Sequence, residues 1–212
     1  MQVKNITNKA NKALVERASI RKYDASVKIS RQEMSDILQD AMTGPSSLNL
    51  QPWRFFVFDT PEGKETIKPF MMFNQQQWET SSAIIAVYGD MECASYTDKI
   101  LSAGVENNLI TLEYKDKMSE MINGFHTSFT EERLRNSILV DCGFVTMQLM
   151  LSAKAYGYDT NPIGGFMRKE LTEALDLDPK RYIPVILISI GKADEARRDS
   201  IRFSVDEITQ WK

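Results

Sequence analysis

The stretch GPSSLNLQPWRFFVF, residues 44–58, sets the start of the predicted sheet. Gly44 and Pro45 end a helical pattern, and the apolar run Trp53–Phe58 has the length and composition of a buried strand. Between Pro45 and Pro52 stand closely spaced hydroxyl and amide side chains. Two interpretations of that polar segment stay open: an elaborate turn, or a rigid polar loop around a planar ligand.

Helical and strand patterns continue on both sides of this stretch. Upstream, apolar residues at helical spacing predict a first helix that ends near Arg17, and Ser30-Arg-Gln-Glu33 predicts a capping box before a second helix. Downstream, Thr60-Pro61-Glu62 predicts a short helix with proline at its first position. Two further buried strands are predicted at Ala83–Tyr88 and Pro184–Ile190.

The region between those two strands is mostly helical in pattern. We expect a break near Gly124-Phe125-His126 and a restart at a second capping box, Ser128-Phe-Thr-Glu131. The following helix is apolar on most faces, which is typical of a central buried helix, and Gly157 ends it. An extended piece at Tyr158–Asn161 and a helix at Lys169–Leu177 follow. The whole pattern predicts one α+β domain over residues 1–212.

The composition excludes several kinds of active site. The 212 residues include one histidine and two cysteines, too few for a Cys/His zinc cluster. The ten glycines form no dinucleotide fingerprint, P-loop or nucleophile elbow. His126 stands in a polar stretch, Cys142 on the apolar helix and Cys93 next to an acidic residue, so none is a strong nucleophile or base. If the protein is an enzyme, a bound group should supply the reactive centre.

The distribution of charge and apolar residues limits partners and location. The net charge is −3, which argues against a nucleic-acid partner, although residues 1–31 alone carry +6. That excess is either a solvated basic helix or an anchor for a phosphate group. No apolar run approaches membrane-spanning length and no signal-peptide pattern is present, so we expect a cytoplasmic protein without a membrane partner. The sparsely apolar tail, residues 191–212, is typical of a segment that embraces a second subunit.

Four ordered motifs offer binding groups. Arg17-Ala18-Ser19-Ile20-Arg21 places two guanidiniums beside a hydroxyl, which suits a phosphate. The Pro45–Trp53 segment follows, and Pro162-Ile163-Gly164-Gly165-Phe166 then offers backbone N–H groups with little side chain in front of them. Ser200 and Arg202 stand before Asp206-Glu207-Ile208 near the C-terminus. In this order the motifs resemble the FMN-dependent nitroreductase family, and the resemblance spans residues 17–208.

The resemblance implies a central, mostly antiparallel sheet flanked by helices, in an interlocked homodimer with FMN at each of two interface sites. It assigns the FMN phosphate and pyrimidine edge to the Arg17–Arg21 motif, and it places the Pro45–Asn49 loop of the second subunit across from that motif. It also places Asn74 on the isoalloxazine and the Pro162–Gly165 turn against the ring, with a main-chain N–H near N5. Arg202 would bind the phosphate. The implied cofactor-binding residues are Arg17, Ala18, Ser19, Arg21, Pro45, Ser46, Ser47, Asn49, Asn74, Gln77, Pro162, Ile163, Gly164, Gly165 and Arg202.

This chain departs from the family pattern at three positions. Gln77 and Ser200 stand where some members carry lysine, and Gly164 stands where many carry glutamate. The first two changes remove positive charge from the implied flavin site.

The implied activity is hydride transfer from NAD(P)H through FMN to nitroaromatic, quinone or related small-molecule acceptors in a ping-pong cycle. Side-chain catalysts are then unnecessary, because a flavin carries the chemistry and the protein supplies position and electrostatics. A second reading is another flavin chemistry of the superfamily, such as dehalogenation or flavin fragmentation, with Tyr114–Phe129 as a lid and Phe125 or Phe129 over the flavin. A third reading is a flavin-binding protein without enzyme activity.

Overall fold

The computed structural model describes residues 9–212, apart from the side chains of residues 9–12 and 126. The described chain forms four strands, β1 Trp53–Phe58, β2 Ala83–Asp90, β3 Asp159–Ile163 and β4 Tyr182–Gly191. Its α-helices are α1 Lys9–Glu16, α2 Arg31–Ala41, α3 Pro61–Ile67, α4 Gln75–Thr80, α5 Thr97–Glu106, α6 Leu112–Ser128, α7 Glu131–Ala155, α8 Arg168–Ala174 and α9 Val205–Ile208.

The strands form one sheet in the order β1-β2-β4-β3, with every neighbouring pair antiparallel. The two inner strands are the most buried, and all eight residues of β2 are inaccessible. Outside the free edge of β3, Ser19 forms an isolated parallel bridge to Thr160. The predicted α+β class with an antiparallel sheet is therefore confirmed.

Alternating side chains of the sheet build two separate cores. One face packs against α2, α5, α6 and α7, and the other packs against α3, α4 and α8. In β2, Ile85 faces the first core and Ile84 faces the second, as the two-residue period of a strand requires. Gly89 lets α7 approach the sheet, because a Cβ at this position would lie 2.4 Å from the Ile138 side chain. The sheet thus has one group of loops on each side, and the candidate functional residues described below are divided between these two groups.

Several predicted boundaries are confirmed. β1 occupies Trp53–Phe58, Ser30 and Glu33 form the capping box of α2, and Thr60 caps α3 with Pro61 at its first position. Gly157 follows α7 in the left-handed region, with φ +85°. β1 is only half buried, however, because it is an edge strand of the sheet.

Two predictions on local structure are wrong, and a third is too short. Helix α6 runs unbroken through Gly124-Phe125-His126 to Ser128. The cap of α7 is Thr130, whose hydroxyl accepts the N–H of Arg133, and not Ser128 with Glu131. The extended piece predicted at Tyr158–Asn161 is confirmed as a strand from Asp159, but the strand continues through Pro162 to Ile163. An edge strand tolerates this proline because its N–H side need not pair.

Helix α7 is the one described helix long and apolar enough to span a membrane by length and composition. Half of its most apolar stretch is buried inside the fold, against the sheet and α2, as in the core helix of a globular domain. The opposite face carries an exposed apolar stripe, formed by Val140, Phe144 and Met147 at helical spacing. Gly143 lies in this stripe, and a Cβ there would meet no atom within 4 Å.

Candidate functional site

The arginine motif lies along the free edge of β3. Ser19 pairs with Thr160, and the N–H of Ile20 donates to the Thr160 carbonyl at 3.1 Å. Arg17 and Ala18 are half-buried on one side of this pairing, and Arg21 is exposed on the other. Within the described residues, neither Arg17 nor Arg21 belongs to an ion pair. Two guanidiniums thus flank the edge of the sheet without a close ion pair in the described chain, although the Glu195 carboxylate is near enough to Arg21 to attract it electrostatically.

A carboxylate that the sequence did not single out fixes this segment. Glu195 Oε1 accepts the backbone N–H groups of Arg21 and Lys22. These bonds hold the pKa of Glu195 below its usual range, with the Arg21 N–H as the largest cause. Beside it, Arg197 Nη1 donates to the Val15 carbonyl at 3.0 Å. The start of the C-terminal tail therefore packs on the arginine segment as a scaffold. An isolated Glu in a charged tail carries no pattern that would have revealed this.

The far end of β3 brings a second pair of predicted residues together. Pro162 and Ile163 end the strand, and Gly164 and Gly165 follow it with open space in front of both α-carbons. Asn74, which precedes α4, donates from Nδ2 to the Gly165 carbonyl at 3.2 Å. The arginine motif, Asn74 and the glycine turn therefore lie along one strand.

Gln77 takes a supporting place in this cluster. Its side chain is buried, and its Nε2 donates to Asn74 Oδ1 at 3.2 Å. Because the Asn74 oxygen accepts this bond, its Nδ2 remains the donor toward Gly165. The glutamine amide fixes the orientation of the asparagine.

Arg202 stands in the exposed C-terminal tail. Its guanidinium donates to Ser200 Oγ and to the Ile201 carbonyl, both in its own exposed segment. The large apolar residues of the tail are exposed as well, and Ile201 is 97% accessible. The described hydrogen bonds of the Arg202 guanidinium thus connect it only to the tail itself.

The Pro45–Asn49 loop lies on the other side of the sheet, next to α7. Ser47 N–H donates to Asp141 Oδ2 at 3.1 Å, and Gln51 N–H donates to Ser46 Oγ. Three non-glycine residues, Leu48, Asn49 and Gln51, have positive φ between 47° and 56°. Such strained conformations persist only where their surroundings hold them, and they concentrate at functional sites.

Phe125 and Phe129 flank this loop. The two rings form an edge-to-face pair with centroids 6.2 Å apart, and the Arg133 guanidinium lies 4.1 Å from the centre of the Phe129 ring. Both phenylalanines line a cavity of about 170 Å³ together with Ser47 and Asp141. The segment predicted as a lid, Tyr114–Phe129, lies in the continuous helix α6 except for Phe129, which follows the end of the helix.

A wider apolar groove opens on the other flank of the same loop. It measures about 1220 Å³ and runs between α2, β1, α5 and the start of α6. Leu48 and Leu50 line both the groove and the smaller cavity. The loop thus separates two spaces that could each admit an apolar molecule.

The thiols offer no competing chemistry. Burial raises the pKa of Cys93 to about 11 and that of Cys142 to about 12, so both are protonated at neutral pH. The expectation that Cys142 is inert is supported by this geometry. Among the described residues, no group of three or more His, Cys, Asp or Glu side chains could hold a metal ion. The side chain of His126 lies outside the described residues.

Comparison with known proteins identifies the family of this chain. The model of the nitroreductase family matches residues 14–192. YdgI of Bacillus subtilis, provisionally named an NAD(P)H nitroreductase, is 48% identical over 97% of this chain and 99% of its own length. An enone reductase of conjugated linoleic acid (CLA) biosynthesis from Lactiplantibacillus plantarum is 36% identical over 99% of this chain and 97% of its own.

A solved structure shows the same fold. A protein of Exiguobacterium sibiricum, provisionally described as a nitroreductase and crystallised in complex with FMN, superposes with a TM-score of 0.94. It is 46% identical to this chain, and the match covers 98% of this chain and 99% of the other. On these grounds, the chain belongs to the nitroreductase family of oxidoreductases.

Proposed function

We propose that this protein is an FMN-dependent oxidoreductase that uses NAD(P)H to reduce nitroaromatic, quinone or related small molecules. The observation that carries the proposal is the row of groups along β3, from the unpaired Arg17 and Arg21 to the Asn74–Gly165 bond. FMN bound there would accept hydride from NAD(P)H and deliver it to the acceptor. The FMN complex of the 46% identical Exiguobacterium sibiricum protein supports this choice of cofactor.

The donor set fits the polar end of FMN. Arg17 and Arg21 can bind a phosphate with two parallel hydrogen bonds each, and no carboxylate of the described chain pairs with them. Ser19, exposed between them, adds a hydroxyl donor. We assign the phosphate and pyrimidine edge to these residues and to Ala18.

The far end of β3 fits a flat ring. A Cβ at Gly164 or Gly165 would meet no atom within 4 Å, so the backbone there has open space in front of it. Pro162 and Ile163 precede this turn, and the Asn74 side chain bonds to its Gly165 carbonyl. These residues would hold the isoalloxazine by main-chain N–H and side-chain amide donors, and Gln77 would act through Asn74.

The remaining half of the site would come from a second copy of the chain. Pro45, Ser46, Ser47 and Asn49 lie against α7 on one side of the sheet, whereas Asn74 packs with the core on the other. Because one protomer keeps the two halves apart, we propose a homodimer in which this loop reaches the partner's β3 edge. Arg202, carried outward on the tail, would close on a phosphate in that assembly.

Two exposed surfaces support the dimer. The α7 stripe of Val140, Phe144 and Met147 leaves three large apolar side chains accessible. Gly143 in its centre costs helix stability, which close approach of another backbone would explain. The tail adds a further exposed apolar set, Ile201, Phe203, Val205, Ile208 and Trp211.

We propose that the acceptor binds beside Phe125 and Phe129, in the cavity next to the Ser47 loop. NAD(P)H and the acceptor would use the same open face in turn, which gives a ping-pong cycle. Within this proposal residues 1–212 form one flavin-binding domain of a cytoplasmic enzyme that needs neither nucleic acid nor a membrane.

A second candidate is reduction of an activated carbon–carbon double bond in an apolar substrate. The 36% identity to the Lactiplantibacillus plantarum enone reductase favours it. The groove of about 1220 Å³ beside Leu48 has the apolar lining that an acyl chain would require. The candidates differ only in the acceptor, so one set of turnover assays compares them.

The test begins with the purified protein. It should be yellow, release FMN on denaturation and lose its colour with NADH or NADPH under anaerobic conditions. Menadione or a nitrofuran should then restore the colour, and a long-chain enone should do so if the second candidate holds. A protein that cannot be reconstituted with FMN would refute the proposal. Flavin that NAD(P)H does not reduce would indicate a flavin-binding protein without this activity.

A further inference from the structure

The Pro45–Trp53 segment is anchored to α7 by a buried carboxylate. Asp141 lies in the middle of α7 with 6% of its surface accessible, and its Oδ2 accepts the Ser47 N–H at 3.1 Å. The acceptor and donor are 94 residues apart in sequence. No residue of the described chain forms an ion pair with Asp141.

The bond holds a loop that would not keep its shape by local preference. Leu48, Asn49 and Gln51 all adopt positive φ, which side chains beyond glycine disfavour. Ser47 immediately precedes these residues and begins a 3₁₀ turn. Anchoring the Ser47 amide on α7 therefore fixes the point from which the strained residues leave the core.

The carboxylate has a cost that its bond to Ser47 offsets only in part. Burial raises the pKa of Asp141, and the Ser47 N–H opposes that rise. A buried carboxylate without a cation is unfavourable for folding, so a leucine at this position could leave the fold as stable or make it more stable. A group kept at such a cost points to a role in function.

We propose that Asp141 is a positioning residue that holds the Pro45–Asn49 loop in its flavin-binding conformation through the Ser47 amide. The identity of the ligand rests on the proposed function, whereas the anchoring of the loop does not. The loop in turn forms the wall between the Phe125 cavity and the wide groove, so the same bond sets the shape of both spaces.

Three variants of α7 separate positioning from stability. Asp141→Leu removes the acceptor, and Asp141→Asn keeps an oxygen in nearly the same place. Thr146→Val is the matched control, because Thr146 is buried on the same helix and its hydroxyl has no hydrogen-bond partner among the described residues. Asp141→Leu should weaken binding of FMN to the apoprotein about tenfold with an unchanged or higher Tm. Asp141→Asn and Thr146→Val should stay within about threefold of the wild type.

A second readout needs no flavin. In the apoprotein, hydrogen exchange of the Ser47 amide should accelerate about tenfold in Asp141→Leu and stay near the wild-type rate in Asp141→Asn. If the wild type binds no FMN, the proposed function fails and this measurement still decides whether the anchor exists. Unchanged exchange in Asp141→Leu would overturn the proposal.

The donor side gives an independent variant if Asp141→Leu does not fold. Ser47→Pro removes the amide hydrogen, and Ser46 already has the extended conformation, φ −143° and ψ 156°, that a residue before proline requires. Ser47→Ala keeps the amide and controls for the lost hydroxyl. Ser47→Pro should weaken FMN binding about tenfold relative to Ser47→Ala. Equal affinities of these two variants, or an Asp141→Asn variant as weak as Asp141→Leu, would overturn the proposal.

Discussion

The side-chain amide of Asn74 donates a hydrogen bond of 3.2 Å to the main-chain carbonyl of Gly165, which lies 91 residues later in the chain. This bond joins the start of α4 to the glycine turn after β3. A second amide, that of Gln77, orients Asn74 from inside the fold. The relationship couples two motifs that the sequence presents far apart.

Replacing Asn74 should loosen the turn that it holds. In Asn74→Asp the carboxylate cannot donate to the Gly165 carbonyl, so the side chain should turn away and FMN affinity should fall about tenfold. Gln75→Ala is the control, since the Gln75 amide bonds only to Glu79 on the exposed face of α4. Fluorescence titration of the apoproteins measures both. Equal affinity in Asn74→Asp and Gln75→Ala would remove Asn74 from the site.

A cation in place of Gln77 should change the flavin potential. A positive charge near the ring stabilises the reduced, anionic form by roughly 1–2 kcal/mol, which corresponds to an upward shift of about 30 mV. Gln77→Lys should show this shift in an anaerobic potentiometric titration. Gln75→Lys adds the same charge on the exposed side of α4 and should leave the potential near that of the wild type. A potential unmoved by Gln77→Lys would place the flavin ring elsewhere.

Sequence patterns predicted the regular elements well where the apolar signal was continuous. The run Trp53–Phe58 gives β1 its observed bounds, because Pro52 and the following polar residues limit it on both sides. The start of α7 was harder, since Ser128 and Thr130 are both able to cap a helix and only the folded chain shows that Thr130 does so. Pro162 hid the end of β3, because proline is a strand residue only at a sheet edge.

The residues of the candidate site likewise fall into those that sequence motifs predict and those that only the structure shows. Arginines, glycines and a polar loop between prolines have recognisable spacing, so these motifs identified the candidate residues along the edge of β3. Asp141 and Glu195 went unnoticed, because each acts through backbone N–H groups distant in sequence. Such acceptors have no spacing rule, and only the tertiary structure reveals them.

The stability of the sheet should depend on a buried carboxylate at the end of β2. Asp90 is fully buried and accepts from Arg54 Nη2 at 2.8 Å and from Arg181 Nε at 2.9 Å. Asp90→Ala leaves two arginines without their partner and should lower the free energy of unfolding by about 3–5 kcal/mol. Asp98→Ala breaks an exposed pair with Lys115 and should cost below about 1 kcal/mol. Urea denaturation of both variants measures the difference.

Lys64 should make the stability of the protein rise with pH in mildly alkaline solution. Burial, with a smaller contribution from Lys28, lowers the pKa of Lys64 to about 8. The unfolded state then binds more protons than the folded state between pH 8 and the ordinary lysine pKa of 10.5, so the free energy of unfolding rises with pH there. Because the side chain is half exposed to solvent, we expect a gain of only about 1 kcal/mol.

The comparison that isolates this effect is wild type against Lys64→Met. Unfolded cysteines ionise above their ordinary pKa of 9.0 while the buried thiols do not, which lowers stability in both proteins as the pH rises. The difference in unfolding free energy between the two proteins cancels that contribution. It should move in favour of the wild type between pH 7 and pH 9.5. A difference independent of pH would show that Lys64 keeps an ordinary pKa.

The exposed stripe of α7 gives a direct test of the proposed dimer. In Gly143→Leu, the new side chain begins at an exposed position where an added Cβ would meet no other part of the described chain within 4 Å, so the fold of one protomer should tolerate it. A partner helix packed against Gly143 would be displaced, and the dimer should dissociate about a hundredfold more readily, with loss of bound FMN. Arg135→Leu changes an exposed position of the same helix outside the stripe and is the control. Sedimentation equilibrium measures the assembly, and a Gly143→Leu variant that stays as dimeric as the control would show that the second half of the site does not arrive across this face.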